Sequence, residues 1–277
     1  MSKNQLAIIA GGGSLSTAII ESARKEGWEI TVFAIGASNI AKDPSIKFIE
    51  MNKLNIGRIF KILKSKKIKN ICMVGYIPRP SNIRDYFHFQ YLNLEIIGIL
   101  FKSIGILRGG DASLFKKINS LLERKGYNVI GASEIAPDLT LKEGIYSSKG
   151  ASKAELENIK KAKQCAEITG LLDIGQAVVV KNLRVLAIEA AEGTDSMLDR
   201  VAILFEKNTK RGGVLLKSAQ INQDERVDMP TIGPNTIEKI IKANLSGIAI
   251  TADNVIVLDF QRVIEMIEDS NLYFIVI

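Results

Sequence analysis

The chain has 277 residues, with 37 Lys and Arg against 30 Asp and Glu, one histidine and two cysteines. A hydrophobic content of 47% and a charged content of 24% exclude a long disordered chain and a coiled coil. Two cysteines cannot form a disulfide framework, and a single histidine, His88, excludes a metal site built from several histidines. We therefore expect any enzyme of this composition to use carboxylates for proton transfer and metal binding.

Positive charge is concentrated in the first half of the chain. Residues 1–133 carry 20 Lys and Arg against 9 Asp and Glu, whereas residues 134–277 carry 17 against 21. A basic body suits an anionic partner, such as a nucleic acid, an anionic lipid headgroup or a phosphorylated ligand. The densest run is 61–69, for which a solvated helix face is the plain alternative.

The sequence shows no targeting pattern near its first residues and no apolar stretch of the roughly 20 residues that span a bilayer. We therefore expect a cytoplasmic protein. Peripheral contact with an anionic inner membrane is one use for the basic half.

The first half alternates apolar runs with amphipathic segments. The run 6–10 predicts a buried strand, Gly11-Gly12-Gly13 a tight turn, and Ser14 an N-cap for a helix over 15–26. The same patterns predict strands at 28–35, 48–51, 71–74 and 127–130, and helices at 56–66, 91–101 and 112–125. This alternation is typical of a doubly wound parallel sheet, so we predict a Rossmann-like domain over residues 1–133.

The composition changes after Gly131. Residues 134–150 are rich in Pro, Gly and Ser without clear periodicity, which predicts a linker. Residues 151–277 predict a mixed α/β domain. Its expected helices are 152–169, 197–204, 235–243 and 260–270, and its expected strands are 177–180, 185–188, 213–217, 247–251, 254–258 and 272–277.

The glycine turn at 11–13 has the position of a phosphate-binding loop. It lies between a strand and a helix, where backbone N–H groups and the helix dipole face an anion. It is not a full G-x-G-x-x-G fingerprint, because Ser16 stands where the third glycine is expected, and no Walker A lysine follows. A tight turn without a ligand is the alternative.

Two segments of the second half concentrate carboxylates. Residues 189–195 and 224–233 each contain three Asp or Glu together with a Thr and a Gly. Carboxylates from two loops can hold Mg²⁺ or act as a general base. The alternative is two solvated loops in which Asp195 and Asp228 cap helices. Lys217 ends a predicted strand between these segments, where an ammonium can meet a phosphate.

Two weaker motifs are open to either reading. Gly109-Gly110-Asp111 precedes a predicted helix, so Asp111 is either a helix cap or a carboxylate at a site. Gln176 follows Asp173-Ile174-Gly175, where a turn and a hydrogen bond to a ligand are equally compatible with the sequence.

Four segments together resemble the LpxI family of UDP-2,3-diacylglucosamine pyrophosphatases of lipid A biosynthesis. They are 10–13 (AGGG), 172–176 (LDIGQ), 192–195 (EGTD) and 226–233 (RVDMPTIG), in the order and at the spacing of that family. The last two carry most of the resemblance. Met229 replaces the commoner Leu of the last motif, a change that conserves volume.

The resemblance implies a Rossmann-like N-terminal domain, a C-terminal domain of the family's own type, and a substrate held between them. It implies hydrolysis of UDP-2,3-diacylglucosamine to UMP and 2,3-diacylglucosamine 1-phosphate (lipid X) by water attack on the α-phosphorus, with a divalent metal such as Mg²⁺. The family's essential aspartate falls on Asp228. Our hypothesis adds Asp195 and Glu192 as further metal ligands, and as substrate-binding residues Gly12, Gly13, Gln176, Thr194, Lys217, Arg226 and Thr231.

Two other classes of function are weighed against this one. A Rossmann-type oxidoreductase that binds a nucleotide fits the N-terminal unit, but the acidic residue expected after the second strand is replaced by Ile35-Gly36-Ala37. A nucleic-acid-binding module fits the basic half, but aromatic residues make up only 6% of the chain and form no basic–aromatic pattern. We expect no nucleic-acid partner, and the sequence leaves the oligomeric state open.

Overall fold

The structure is a computed structural model that describes residues 4–36, 40, 44–51, 55–75, 119–120, 122–204, 210–220, 226 and 229–277. The predictions for Asp228, the motif 109–111 and the helix 91–101 concern residues outside these ranges, as does the single histidine, His88. The chain divides into two compact units. Unit 1 contains residues 1–137 and 226–228, and unit 2 contains 138–225 and 229–277.

Unit 1 is built on a five-stranded parallel sheet. The strands are β1 (Gln5–Ala10), β2 (Glu29–Ile35), β3 (Lys47–Met51), β4 (Asn70–Val74) and β5 (Asn128–Val129), in the order β3-β2-β1-β4-β5. The helices are α1 (Ser14–Lys25), α2 (Ile56–Lys66) and α3 (Ala132–Ile135). Strand order reverses between β1 and β4, the position at which open α/β sheets bind ligands. The predicted Rossmann-like sheet is confirmed.

The turn between β1 and α1 differs from its prediction in one respect. Helix α1 begins at Ser14 itself, and Gly13, at φ 110°, is the N-cap residue without a side-chain cap. The N-cap prediction for Ser14 is therefore wrong. Because Gly13 adopts a positive φ that turns the chain, Ser14 already has helical backbone angles.

Unit 2 contains a six-stranded mixed sheet and a separate short pair of strands. The strands are β6 (Gly144–Ile145), β7 (Ala177–Lys181), β8 (Arg184–Ile188), β9 (Val214–Lys217), β10 (Thr231–Ile232), β11 (Gly247–Ile250), β12 (Ile256–Val257) and β13 (Tyr273–Val276). The large sheet has the order β6-β13-β11-β9-β7-β8, in which β9, β11 and β13 are parallel, and β10 pairs with β12. The expected mixed α/β body is confirmed.

Helices cover both faces of this sheet. They are α4 (Lys153–Leu171), α5 (Gly193–Leu204), α6 (Pro234–Lys242) and α7 (Phe260–Asp269). On one face α4 packs through Ile159 and Ala162, whereas on the other face α5 packs through Met197 and Val201. Alternate strand residues point to opposite faces, so the strands are buried on both sides.

The stretch 134–150, predicted as a linker, contains ordered structure. It includes the last two residues of α3, a turn of 3₁₀ helix at Pro137–Leu139 and strand β6. The first segment of unit 1 ends at residue 137, within this stretch. Within the described part of the chain, every helix is too short or too polar to cross a bilayer.

Candidate functional site

The polar side chains of unit 2 gather where the parallel strands of its sheet end. Strand β9 ends at Lys217, which pairs with Ala177 at the start of the antiparallel strand β7. Two backbone hydrogen bonds continue this edge, from the Ser218 N–H to the Gln176 carbonyl over 2.9 Å and from the Thr251 N–H to the Lys217 carbonyl over 3.2 Å. Three segments distant in sequence therefore meet at the carboxyl edge, where α/β sheets bind ligands.

A buried chain of hydrogen bonds starts at Lys217. Its ammonium, on a side chain only 7% exposed, donates to the Thr194 hydroxyl over 2.7 Å. That hydroxyl donates in turn to Glu189 Oε1 over 2.8 Å, and Glu189 Oε2 accepts a bond from the Gln176 backbone N–H over 3.2 Å. The four residues belong to three segments, and the sequence predicted three of them as binding residues. The arrangement holds a positive charge in a fixed place beside one carboxylate.

Gly175 explains part of the motif 172–176. A Cβ at this position would overlap the Glu189 carbonyl oxygen and lie 2.7 Å from the Glu189 carbonyl carbon. Only glycine lets the start of β7 pass this close to the end of β8, which sets Glu189 beside Gln176. The motif is thus part of the framework of the site, whatever the side chain of Gln176 binds.

Thr251 contributes an unsatisfied polar group to the same edge. Its hydroxyl oxygen is buried and has no hydrogen-bond partner among the described residues. The residue directly follows β11, next to Lys217 on β9. Because buried polar groups are nearly always hydrogen-bonded, Thr251 is an exception among the described residues.

The predicted metal ligands of unit 2 have protein partners. Residues 193–195, expected as loop, form the first turn of α5, and Asp195 accepts a hydrogen bond from Asn235 of α6 over 2.7 Å. Glu192 forms an ion pair with Arg200 over 2.6 Å. Hydrogen bonding to its own backbone N–H, and then to Arg200, lowers the pKa of Glu192, so this carboxyl is ionised at neutral pH.

The described residues alone do not form a metal centre. No group of three or more His, Cys, Asp or Glu side chains comes together among them with the geometry to hold an ion. Asp228, the first of the predicted ligands, lies outside the described residues. Mg²⁺ binding stays a prediction for this chain.

The glycine turn of unit 1 is fixed by the end of the neighbouring strand. Gly11 N–H donates to the Val74 carbonyl over 2.8 Å, and the buried Ser16 hydroxyl donates to the Gly11 carbonyl over 2.9 Å. Ser16, the residue in place of the third fingerprint glycine, thus ties the turn together. No acidic residue stands in the first turn of α1, and a Cβ on Gly12 would meet nothing within 4 Å. The turn leaves room for an anion at the helix N-terminus.

Two further predicted residues, Arg226 and Thr231, have hydrogen-bond partners of their own. Arg226 forms an ion pair with Glu123 and lies against Gly131, all within unit 1. Thr231 is half-buried on β10, and its hydroxyl donates to the Met229 carbonyl over 3.2 Å. Arg226 is thus placed with residues that precede it by about 100 positions.

Two family models together cover nearly the whole chain. The LpxI N-terminal domain matches residues 5–139 and the LpxI C-terminal domain matches residues 142–275. The chain belongs to the LpxI family. A relative from Caulobacter vibrioides, the UDP-2,3-diacylglucosamine pyrophosphatase LpxI, is 33% identical over 276 residues, covering 97% of this chain and 96% of its own. The resemblance drawn from the four motifs is confirmed.

Solved structures show only remote likenesses. A DNA/pantothenate metabolism flavoprotein from Streptococcus pneumoniae is 11% identical over 31% of this chain and 50% of its own, with a TM-score of 0.23. A short-chain dehydrogenase family protein from Francisella tularensis is 16% identical over 46% and 48%, also at 0.23. Neither likeness carries an argument about the fold or function of this LpxI-family chain.

The sequence did not single out three residues of the site. Glu189 was one of several carboxylates in the segment 189–195, Thr251 follows an ordinary apolar strand, and Asn235 lies in a helix. For Glu189 a signal was available, because antiparallel pairing of the predicted strands 177–180 and 185–188 would place the residue after them beside Gln176. The Thr251 backbone N–H bonds to Lys217, and the Asn235 side chain bonds to Asp195. Both contacts join residues distant in sequence, so no local pattern identifies Thr251 or Asn235.

Proposed function

We propose that this chain hydrolyses UDP-2,3-diacylglucosamine to UMP and 2,3-diacylglucosamine 1-phosphate. Membership of the LpxI family supports the substrate, and the activity is the one named for the relative from Caulobacter vibrioides. Water supplies the oxygen that replaces the anhydride bridge at the α-phosphorus, and its proton leaves to solvent. The bridging oxygen stays on the sugar phosphate.

The observation that carries this proposal is the buried Lys217 at the carboxyl edge of the sheet of unit 2. Charge on a diphosphate has to be compensated by groups already in position, because little covalent chemistry is left for the protein. Lys217 is held by Thr194, which Glu189 orients in turn, so the ammonium does not need to reorganise when an anion arrives. Thr251, whose backbone N–H donates to the Lys217 carbonyl, is the further residue of this edge that we propose for contact with the substrate.

We assign the remaining roles as follows. Gly12 and Gly13 offer backbone N–H groups to an anion, and Gln176, Arg226 and Thr231 supply further polar contacts to the substrate. Asp228 orients the attacking water or binds the metal. A divalent cation, when bound, would neutralise phosphoryl charge. Asp195 and Glu192 are the carboxylates proposed to assist Asp228 in holding it.

The deciding experiment incubates the purified chain with UDP-2,3-diacylglucosamine in detergent and Mg²⁺, in ¹⁸O-enriched water. We expect UMP that carries the label, unlabelled lipid X, and loss of both products when a chelator is added. Label in lipid X would overturn attack at the α-phosphorus, and full turnover with chelator would overturn the metal requirement. Absence of UMP under all conditions would overturn the function itself.

The role of Asp228 is tested separately by Asp228→Asn. We expect turnover to fall at least 1000-fold, because an amide neither carries the charge nor accepts a proton. Asp224→Asn, in the same acidic segment, is the matched control and should keep turnover within threefold of the parent. Near-normal turnover of Asp228→Asn at saturating metal would refute the assignment.

A further inference from the structure

The proposed reaction leaves one conspicuous surface without a role, the basic face of α2 in unit 1. Between residues 55 and 75 the chain has six Lys and Arg and no Asp or Glu. Arg58, Lys61 and Lys64 recur at a spacing of three, so they share one side of the helix. All three are exposed, as are Lys67 and Lys69 after the helix end. We call the surface made by Arg58, Lys61, Lys64, Lys67 and Lys69 the α2 basic face.

Apolar residues on the side of α2 opposite to the α2 basic face pack the helix against unit 1. Ile59 and Leu63 are buried against the sheet of unit 1, and Asn55 caps the helix by accepting a bond from the Arg58 N–H over 2.9 Å. The exposed cations therefore do not contribute the packing that keeps the helix in place. Six positive charges on 21 residues repel one another, a cost that a purely structural helix would reduce with interspersed Glu.

Like charges are brought together beside this face as well. Lys47 of β3 and Lys66 of α2 interact electrostatically. Partial burial and the Lys47 ammonium lower the pKa of Lys66, and Glu29 only partly offsets this. An anion placed between such groups would relieve their repulsion.

Aromatic rings lie at the end of the same surface. Phe60 and Tyr127 are half-buried with ring centroids 5.5 Å apart. Lys69 lies over the Tyr127 ring at 5.5 Å, and Lys125 lies over Phe60 at 5.6 Å. These cation–π contacts hold the two ammonium groups at the end of the α2 basic face.

We infer that the α2 basic face docks this chain onto a bilayer surface rich in anionic phospholipid. Charge complementarity carries the inference, since the face has five exposed cations and no acidic residue of its own. The choice of a bilayer over another polyanion rests on the proposed function, because a diacylated substrate resides in a membrane. Each cation close to an anionic surface strengthens binding about fivefold.

The test is flotation of the full chain with vesicles of phosphatidylcholine alone or with 30% phosphatidylglycerol, at low and high salt. We expect flotation only with phosphatidylglycerol and only at low salt, because surface electrostatics are screened. Lys61→Gln, Lys64→Gln and Lys67→Gln combined should weaken vesicle binding about 100-fold. The matched control removes the same number of charges from α4, by changing the exposed residues Lys160, Lys161 and Lys163 to Gln. It should weaken vesicle binding less than threefold.

Three results would overturn the inference. They are absence of flotation by the parent chain, flotation that does not depend on phosphatidylglycerol, and equal losses in the two triple variants. Binding of an RNA oligonucleotide that anionic vesicles cannot displace would also overturn it, in favour of a nucleic-acid partner. UMP release from detergent-dispersed substrate, measured on the same samples, reports the proposed function independently of vesicle binding.

Discussion

The ammonium of Lys217 and the hydroxyl of Thr194 lie 2.7 Å apart across 23 residues of sequence, both nearly fully buried. The hydroxyl accepts a hydrogen bond from the ammonium and donates one to Glu189, so a neutral group links the lysine to this carboxylate. Lys217, Thr194 and Glu189 therefore form one row of hydrogen bonds that fixes the position of the ammonium.

Replacement of Lys217 by Met should remove most of the catalytic activity and leave the fold largely intact. We expect kcat/KM for UMP release to fall at least 100-fold, the usual effect of removing one group that stabilises a developing charge. Lys181→Met is the control. Lys217 pairs with Ala177 at the start of β7, whereas Lys181 lies at the end of β7 and its ammonium donates to the Lys210 carbonyl. Equal losses in the two variants would show that Lys217 acts through the fold alone.

Two glycine substitutions in and beside the glycine turn of unit 1 should have different effects, one on substrate binding and the other on stability. Gly12→Ala adds a methyl group into open space, so thermal unfolding should be unchanged while KM for the substrate rises several-fold. Gly75→Ala should instead destabilise unit 1 by about 2 kcal/mol, because φ is +81° and the Cβ would lie 2.8 Å from the Gly12 carbonyl oxygen. Unchanged KM for Gly12→Ala would remove this turn from the substrate contacts.

The hydrogen bonds of Asp199 predict how the stability of unit 2 depends on pH. Its carboxylate accepts hydrogen bonds from Lys239 and Lys242 of α6, which hold its pKa below the ordinary value. A depressed carboxyl pKa stabilises the fold above the pKa of the unfolded chain, and the contribution is lost as the pH falls through the folded pKa. Thermal melts of Asp199→Asn should therefore lie below those of the parent from pH 5 to 8. The difference should shrink below about pH 4. A difference that does not vary with pH would contradict this linkage.

Cys72 should react with thiol reagents only when unit 1 unfolds. It is fully buried in β4, and burial raises the pKa of its thiol to about 12, so almost no thiolate exists at pH 8. Ellman's reagent should therefore modify Cys72 slowly in buffer and rapidly in guanidinium chloride, and Cys165→Ser isolates the signal. Rapid modification of that variant in buffer would show that β4 opens readily.

Local patterns predicted the helices of this chain best where an apolar stripe and a cap coincide. Helix α2 occupies the predicted residues 56–66, and Ser152 caps α4 by accepting a bond from the Glu155 N–H. Helix α5 begins four residues before its predicted start at 197, because Gly193 and Thr194 have little apolar signal. Thr194 is placed there by Glu189 and Lys217, which no local pattern of α5 contains.

The sequence predicted several residues of the candidate site, but it did not predict how they contact one another. The motifs supplied Gln176 and Thr194, and the end of a predicted strand supplied Lys217, all of which the structure brings to one edge. They did not supply Glu189, because its role depends on Gly175 allowing two strand ends to approach. The acidic segment 224–233 was interpreted as one motif, whereas Arg226 has its partners in unit 1 and Thr231 lies on a strand of unit 2.

The ion pair between Arg226 and Glu123 affects how the polypeptide can be divided. The two family models meet between residues 139 and 142, which suggests a simple cut into two halves. A fragment that begins there would contain Arg226 without Glu123 and Gly131, the residues against which it packs. The N-terminal fragment would in turn expose that surface. Expression of the halves separately would therefore yield two incomplete products, and their study requires co-expression.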